Sequence, residues 1–561
     1  MVPGVKLFSV KLFQNGAGRQ VVCCQVVVGA STVGSDNGEP DFSGAGNMPS
    51  MDLDRDACYR ALRARDTRFD GRFFVAVRTT GIYCRPICPA RCPKLENITF
   101  HASAASAQEA GFRPCLRCRP ECAPDLAGWR ATSRTVSRAL ALIADGVLDD
   151  GDVEGLALRL GIGERQLRRL FDKHLGATPI AVAQTRRVLL AKQLLHETRM
   201  KMVDVAFAAG FGSLRRFNDT FQRLYGQPPS ALRRETTAAI ASVRESSAIT
   251  LTLGYAAPYD WPAMIEFLAA RAIPGVEVVL PDRYRRTIEL NGCHGILDVA
   301  PMRRRNALAA TIHFPDVRAL PAIIGRIRNL FDLGSDVAAI DAQLAEDPLL
   351  ARLVAARPGL RVPGAWDPFE FALRAVLGQQ ITVTAARKLA GELVAAHGEP
   401  LASGPDGGLT TVFPRPERLA TADLALGMPR ARIATLRGIA VAVVADPHLF
   451  DGGGDLDAKL ARLRALPGIG EWTAQYIAMR ALREPDAFPA ADIGLLRAMT
   501  GCDGVRPTPA AVLARAERWR PWRAYAAQHL WSHDGEIAES EPSPFVNQSA
   551  GCFAPCQETV A

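Results

Sequence analysis

Two stretches in the first half of the chain share one hydrophobic rhythm. Leu167, Leu170, Phe171 and Leu175 recur at helical spacing, and Leu214, Phe217, Phe221 and Leu224 do the same. Such spacing collects apolar side chains on one helix face. Arg165, Arg168, Arg169, Arg215, Arg216 and Arg223 lie largely off those faces. Each helix follows a shorter helical stretch and a glycine-containing turn, Gly161-Ile162-Gly163 or Gly210-Phe211-Gly212, and ends near Gly-x-x-Pro. A short helix, a turn and a longer helix with exposed basic residues make a helix-turn-helix pattern, here in tandem. A solvated basic bundle is the alternative that the pattern alone leaves open.

The rhythm changes elsewhere. Residues 1–51 are rich in Gly and Ser without a helical period, which predicts a disordered leader. A cysteine-rich module is expected over 52–124 and the repeated helices over 129–234. The polar stretch "ETTAAIASVRESSA" reads as a linker. "ITLTLGYAAPYDW" then opens a region of mixed strand and helix, taken as 249–360. Residues 361–539 are mostly amphipathic helix, and 540–561 lack periodicity, as a disordered tail would. The expected fold class is multidomain α+β.

Charge narrows the partners. The 561 residues carry a net charge of +9, which favours a polyanion, most simply nucleic acid. No apolar run predicts a membrane span, and the N-terminus lacks a secretion pattern. The expected location is the cytoplasm, where thiols stay reduced. Seven of the 13 cysteines fall between Cys58 and Cys122, which in a reducing compartment argues for metal. Cys84 with Cys88, and Cys115 with Cys118, form two close pairs suited to one tetrahedral Zn²⁺. Cys92 and Cys122 stand near enough in sequence to compete as ligands. Arg85, Arg91, Arg113 and Arg117 make the cluster electropositive, which suits thiol activation or phosphate contact. Spacing alone favours a purely structural zinc knuckle.

The stretch "FVAVRTTGIYCRPICPARCPKLENITF", continued by "AGFRPCLRCRPE", resembles the N-terminal domain of the Ada adaptive-response family. The resemblance implies a small zinc-bound α/β module with Cys84, Cys88, Cys115 and Cys118 as ligands. It implies that Cys84 also accepts a methyl group from a methylphosphotriester in DNA. Thr80, Arg91 and Arg113 fall at the family's DNA-contact positions, whereas Cys92 stands where the family usually has no cysteine. Four thiolates on Zn²⁺ carry a formal charge of −2; methylating one removes a negative charge and favours a polyanion, a chemical switch. "VAFAAGFGSLRRFNDTFQRLYGQPPSALR" resembles the signature of AraC-type regulators, which implies an all-α double helix-turn-helix. Arg168, Arg169, Arg215 and Arg216 are then the DNA-facing candidates.

The C-terminal half resembles the AlkA glycosylase family. The likeness runs from "LGYAAPYDWPAMIEFLAARAIPGVEVV" through "FEFALRAVLGQQITVTAARKLAGELV" and "LPGIGEWTAQYIAMRAL" to "ERWRPWRAYAAQHLW". It implies an N-terminal α+β domain followed by an all-α helix-hairpin-helix domain. Gly468 and Gly470 would bring hairpin amides to a DNA phosphate, and the family often holds a monovalent cation there. Asp492 reads by itself as an N-cap; the resemblance makes it the catalytic carboxylate, although the preceding Pro-Ala-Ala departs from the family's usual residues. Trp472, Tyr476 and Trp531 match the aromatic base pocket, where cation–π attraction suits an alkylated purine. Gln380 takes the position of the wedge that fills the gap left by a flipped base, where the familiar relative has an apolar residue. Trp472 occupies the place of the lysine with which related enzymes cut the backbone, so a monofunctional glycosylase is implied.

Together these readings describe a bifunctional alkylation-response activator and DNA-3-methyladenine glycosylase II. The expected partners are alkylated and promoter DNA and RNA polymerase; the expected state is a monomer at the bacterial nucleoid. The Pro-Cys-His-Arg motif of the alkylguanine methyltransferase often joined to Ada is absent from the sequence. A transcription regulator with an inactive glycosylase-like domain is the main alternative, and a repair enzyme with a structural zinc module is another.

Overall fold

A computed structural model of the chain describes residues 12–14, 20–22, 54–126, 134–236, 248–404, 406–451, 455–500 and 504–540. The expected leader lies outside them except for an antiparallel pair, Leu12–Gln14 with Gln20–Val22. The central part of the expected linker and the tail beyond Ser540 also lie outside them.

The cysteine-rich segment forms a four-stranded sheet. Phe74–Val77 pairs with both Ile98–His101 and Ile82–Cys84, and the latter pairs in parallel with Arg113–Pro114. Its pleat puts Phe73, Val75 and Ile98 into one small core and Phe74, Ala76 and Tyr83 into another. The sheet thereby holds Cys84 at a strand end and Cys115 just past the neighbouring one.

Two helical modules follow. In the first, Val153–Leu160 and Glu164–Leu175 bury Leu156, Leu160, Leu167, Phe171 and Leu175 together. In the second, Met202–Ala208 and Leu214–Tyr225 bury Val205, Phe217 and Phe221. The long helix Pro179–Glu197 connects them. Asp152, Thr178 and Ser213 cap their helices through side-chain oxygens.

The next region is a five-stranded antiparallel sheet. Its strand order is Ile249–Gly254, Ala307–His313, Cys293–Pro301, Arg283–Leu290, Glu277–Leu280. Leu251, Leu253, Leu297, Leu308 and Ala310 of this sheet share one core with Phe217 and Phe221 of the second helical module. The two regions, read in sequence as separated by a linker, are therefore packed against each other. Arg318 adds a cation–π contact 4.8 Å from the Phe207 ring.

The remainder is helical, with a small strand pair at Glu399–Pro400 and Thr411–Val412. Its core gathers Leu373, Val376, Leu393, Leu436, Leu460, Ile477 and Leu530.

A buried charged cluster ties the cysteine module to its neighbours. Lys192 of the long helix is 0% exposed; its ammonium donates to the Cys115 carbonyl at 2.9 Å and to Glu121 at 2.5 Å. Arg119 donates to Glu197 at 2.6 Å, and Glu197 accepts from the Thr252 amide of the large sheet at 3.0 Å. Removing one partner strands a buried charge. Lys192→Met is expected to cost about 3 kcal/mol, seen as a lower thermal midpoint in calorimetry, with the cysteine module loosening first in hydrogen exchange.

Candidate functional site

The first site is the thiol cluster. Ligand atoms of Cys84, Cys88, Cys115 and Cys118 all lie within 4.8 Å of one another. Zinc–sulfur bonds of about 2.3 Å set sulfur separations of roughly 3.8 Å, so the donor set fits a tetrahedral Zn²⁺. Thiols this close cannot all ionise unaided: bonding with Cys115 pushes Cys84 up, while bonding with Cys118 pulls Cys115 down. Cys92 is exposed and donates to its neighbour's carbonyl, and Cys122 lies 3.9 Å from Glu197; neither joins the cluster.

The four cysteines are not equivalent. Cys88, Cys115 and Cys118 are each 7% exposed, whereas Cys84 is more open. The Arg85 amide donates to the Cys118 sulfur and the Arg117 amide to the Cys115 sulfur, both at 3.3 Å. A backbone amide at Ala90 also stabilises the Cys88 thiolate. Such bonds hold charge on sulfur and blunt its nucleophilicity. Cys84 is therefore the sulfur best placed to react. Arg85 is fixed on Asp70. Thr80 and Arg91 are exposed, but Arg113 sits over the Tyr225 ring of the second helical module at 5.6 Å.

The second site is the pair of basic helices. Arg165, Arg168 and Arg169 are exposed on Glu164–Leu175, and Arg215, Arg216 and Arg223 on Leu214–Tyr225. Arg168 is partly engaged by Glu164 at 2.5 Å, and Arg215 is 91% exposed.

The third site lines a cavity of about 1630 Å³ bordered by Trp472, Tyr476, Asp492 and Trp531. Asp492 is indeed an N-cap: its Oδ1 accepts from the amides of Gly494 at 2.9 Å and Leu495 at 3.2 Å. It is also gripped by both tryptophans. Trp531 Nε1 donates to Oδ1 at 2.7 Å, and Trp472 Nε1 donates to Oδ2 at 2.8 Å. Three donors occupy Oδ1 and one occupies Oδ2, so Oδ2 has an acceptor position left. Trp472 stacks on Tyr476 with centroids 5.2 Å apart, and Trp531 meets Tyr476 edge-on at 6.1 Å. One face of Tyr476 is thus already covered, and the tyrosine braces the tryptophans.

The hairpin lies beside this cavity. Gly468 has φ +86°, and a Cβ there would meet Thr435 Oγ1 at 1.9 Å, so only glycine fits. Gly470 has open space around it and caps the helix Glu471–Arg480. The first glycine serves close packing; the second stands open. Gln380 is exposed at the cavity rim with φ +56°, an uncommon backbone for a non-glycine residue. Its neighbour Gln379 donates to the Gly468 carbonyl at 3.2 Å and to Thr473 Oγ1 at 3.0 Å. Arg432 donates to the Gln379 carbonyl at 2.8 Å. Sequence reasoning missed Gln379 and Arg432, because contacts between distant elements leave no local period.

Four family models match the chain in succession. They are the metal binding domain of Ada (57–121), a helix-turn-helix domain (156–235), the AlkA N-terminal domain (250–367) and the HhH-GPD superfamily base excision DNA repair protein (373–524). A Mycobacterium tuberculosis protein described as "Probable bifunctional transcriptional activator/DNA repair enzyme AlkA" is 44% identical over 485 residues, 86% of this chain and 97% of the relative. The chain belongs to this Ada–AlkA family. DNA-3-methyladenine glycosylase 2 of Escherichia coli is 36% identical over 288 residues, 51% of this chain and 97% of that protein. The bifunctional transcriptional activator/DNA repair enzyme Ada of E. coli is 38% identical over 143 residues, 26% of this chain and 39% of that protein. A solved 3-methyladenine DNA-glycosylase from Archaeoglobus fulgidus is 22% identical with a TM-score of 0.46, covering 51% of this chain and 99% of that one.

An Ada–AlkA chain with this donor set has a zinc site at Cys84, Cys88, Cys115 and Cys118. It joins an Ada-type metal-binding domain and a helix-turn-helix domain to a base-excision glycosylase domain. No helix among the described residues is long and apolar enough to cross a membrane.

Proposed function

We propose that the chain senses methylated DNA through Cys84, activates transcription, and excises alkylated purines through Asp492. The observation that carries the excision reading is the Asp492 carboxylate, oriented by two indoles at the mouth of an aromatic cavity.

For excision, the Gly470 amide and the helix N-terminus beside it receive a backbone phosphate, while Gln380 fills the space of the displaced base. The purine enters beside Trp472 and Trp531. Positive charge then develops on the sugar as the glycosidic bond breaks, and the bonding pair leaves with the base. Asp492 Oδ2 stabilises that charge and accepts the proton of the incoming water. Trp472 offers no amine for Schiff-base chemistry, so the backbone stays intact.

For sensing, bound zinc would keep the sulfurs as thiolates at neutral pH. Cys84 sulfur attacks the methyl carbon of the phosphotriester, the carbon–oxygen bond breaks, and the phosphodiester leaves as an anion. Thr80, Arg91 and Arg113 hold the surrounding backbone. Arg168, Arg169, Arg215 and Arg216 engage promoter DNA. RNA polymerase is the partner in activation, and the chain works as a monomer at the nucleoid; the hairpin carbonyls around Gly468 would hold a monovalent cation.

The test is base release. Purified full-length protein incubated with alkylated duplex is expected to free 3-methyladenine and 7-methylguanine without nicking the strand. Protein that binds the duplex yet frees no base would leave a regulator with an inactive repair domain.

A further inference from the structure

The wall behind the base cavity carries a positive charge that the chemistry above does not use. Arg480, the last residue of the helix Glu471–Arg480, is 1% exposed. It donates to the Pro363 carbonyl at 3.0 Å and to Gln528 Oε1 at 2.9 Å, both neutral acceptors. Its Nε is buried without a partner, and no carboxylate among the described residues pairs with it. Its guanidinium carbon instead lies 4.3 Å from the Phe267 ring centroid, 5.4 Å from Tyr476 and 5.3 Å from Trp531. Arg286 and Arg374 in the same cavity wall are paired with Glu370 and Glu277.

An unpaired buried guanidinium is costly to keep. Burial pushes Arg480 down to about 10, so it stays charged near neutral pH. Arg271 lies 3.9 Å over the other partner, Phe267. Burial alone would push the Tyr476 phenol up, yet Arg480 and then Arg271 bring it below its usual range. The aromatic wall is therefore backed by cations.

That charge acts differently on two kinds of purine. A cationic alkylpurine enters positive and leaves neutral, so a fixed cation behind the rings opposes its binding. A neutral purine leaves with the bonding electron pair and develops negative charge, which the same cation stabilises. We infer that Arg480 is a specificity-determining residue, whose guanidinium behind Tyr476 and Trp531 shifts the cavity from cationic toward neutral purines. The inference rests on the glycosylase reading and adds to it a residue that sets the balance of substrates.

The test compares single-turnover excision by the full chain from two duplexes, one holding 7-methylguanine (cationic) and one hypoxanthine (neutral). Arg480→Met is expected to raise the cationic-to-neutral rate ratio about tenfold, and Arg480→Lys, which keeps the charge, to hold it near the wild-type value. The ratio does not depend on how much of each variant is folded. Arg480→Gln, which keeps a donor for Pro363 or Gln528, carries the same expectation where the methionine variant fails to fold. A ratio unchanged in a neutral variant would overturn the inference and leave Arg480 a packing residue. A wild type that frees neither base would instead defeat the glycosylase reading.

Discussion

Asp492→Asn is expected to lower the single-turnover rate of base release about a thousandfold. Asparagine is nearly the same size and can still accept from the Gly494 and Leu495 amides through its one oxygen, so the helix keeps its cap. It cannot serve both tryptophans. Its amide nitrogen would face Trp472 Nε1, a donor against a donor, where Asp492 Oδ2 accepts at 2.8 Å. The negative charge that opposes the developing oxocarbenium is also gone. Binding of promoter DNA, proposed to draw on Arg168, Arg169, Arg215 and Arg216, should persist in a gel-shift assay. A rate within tenfold of wild type would show that the carboxylate is only a cap.

Cys84→Ala is expected to abolish methyl uptake, from one methyl per chain to none, and with it the DNA-binding switch. Wild-type protein exposed to methylphosphotriester DNA is expected to lose one negative charge at the zinc cluster. Its affinity for an unmodified duplex should then rise about tenfold at low salt, and less as salt screens the change. Fluorescence anisotropy before and after exposure reads that rise. The alanine variant should show no rise, although the other three sulfurs remain. Such a switch would have a physical outlet: Cys115 is tied through its carbonyl to Lys192 of the connecting helix, and Arg113 sits over the Tyr225 ring. An equal rise in the alanine variant would place the methyl acceptor elsewhere.

Much of this was legible in the chain. Helical spacing found Phe217 and Phe221, both fully buried, and cysteine spacing found the four thiols that converge. Asp492 is the N-cap its sequence position suggests, and the two indoles orient the same carboxylate for the catalytic role proposed for it. Family resemblance supplied what spacing does not encode, above all the choice of Cys84 among four cysteines. Amide hydrogen bonds at Cys115 and Cys118, and the greater exposure of Cys84, give that choice a physical reason. The buried charges were not legible. Lys192 and Arg480 look in sequence like any solvated basic residue, and only packing between distant segments buries them. Nor did the polar stretch before Ile249 reveal that the second helical module and the large sheet share a core.

The most direct measurement on the claim that the zinc cluster is a reactive sensor is peptide mass spectrometry of the wild-type protein after reaction with methylphosphotriester DNA. One methyl on Cys84, with Cys88, Cys92, Cys115, Cys118 and Cys122 unmodified, is the expected result. An unmodified Cys84, with protein that still binds the DNA, would contradict the sensor and leave a structural zinc module fused to a repair enzyme.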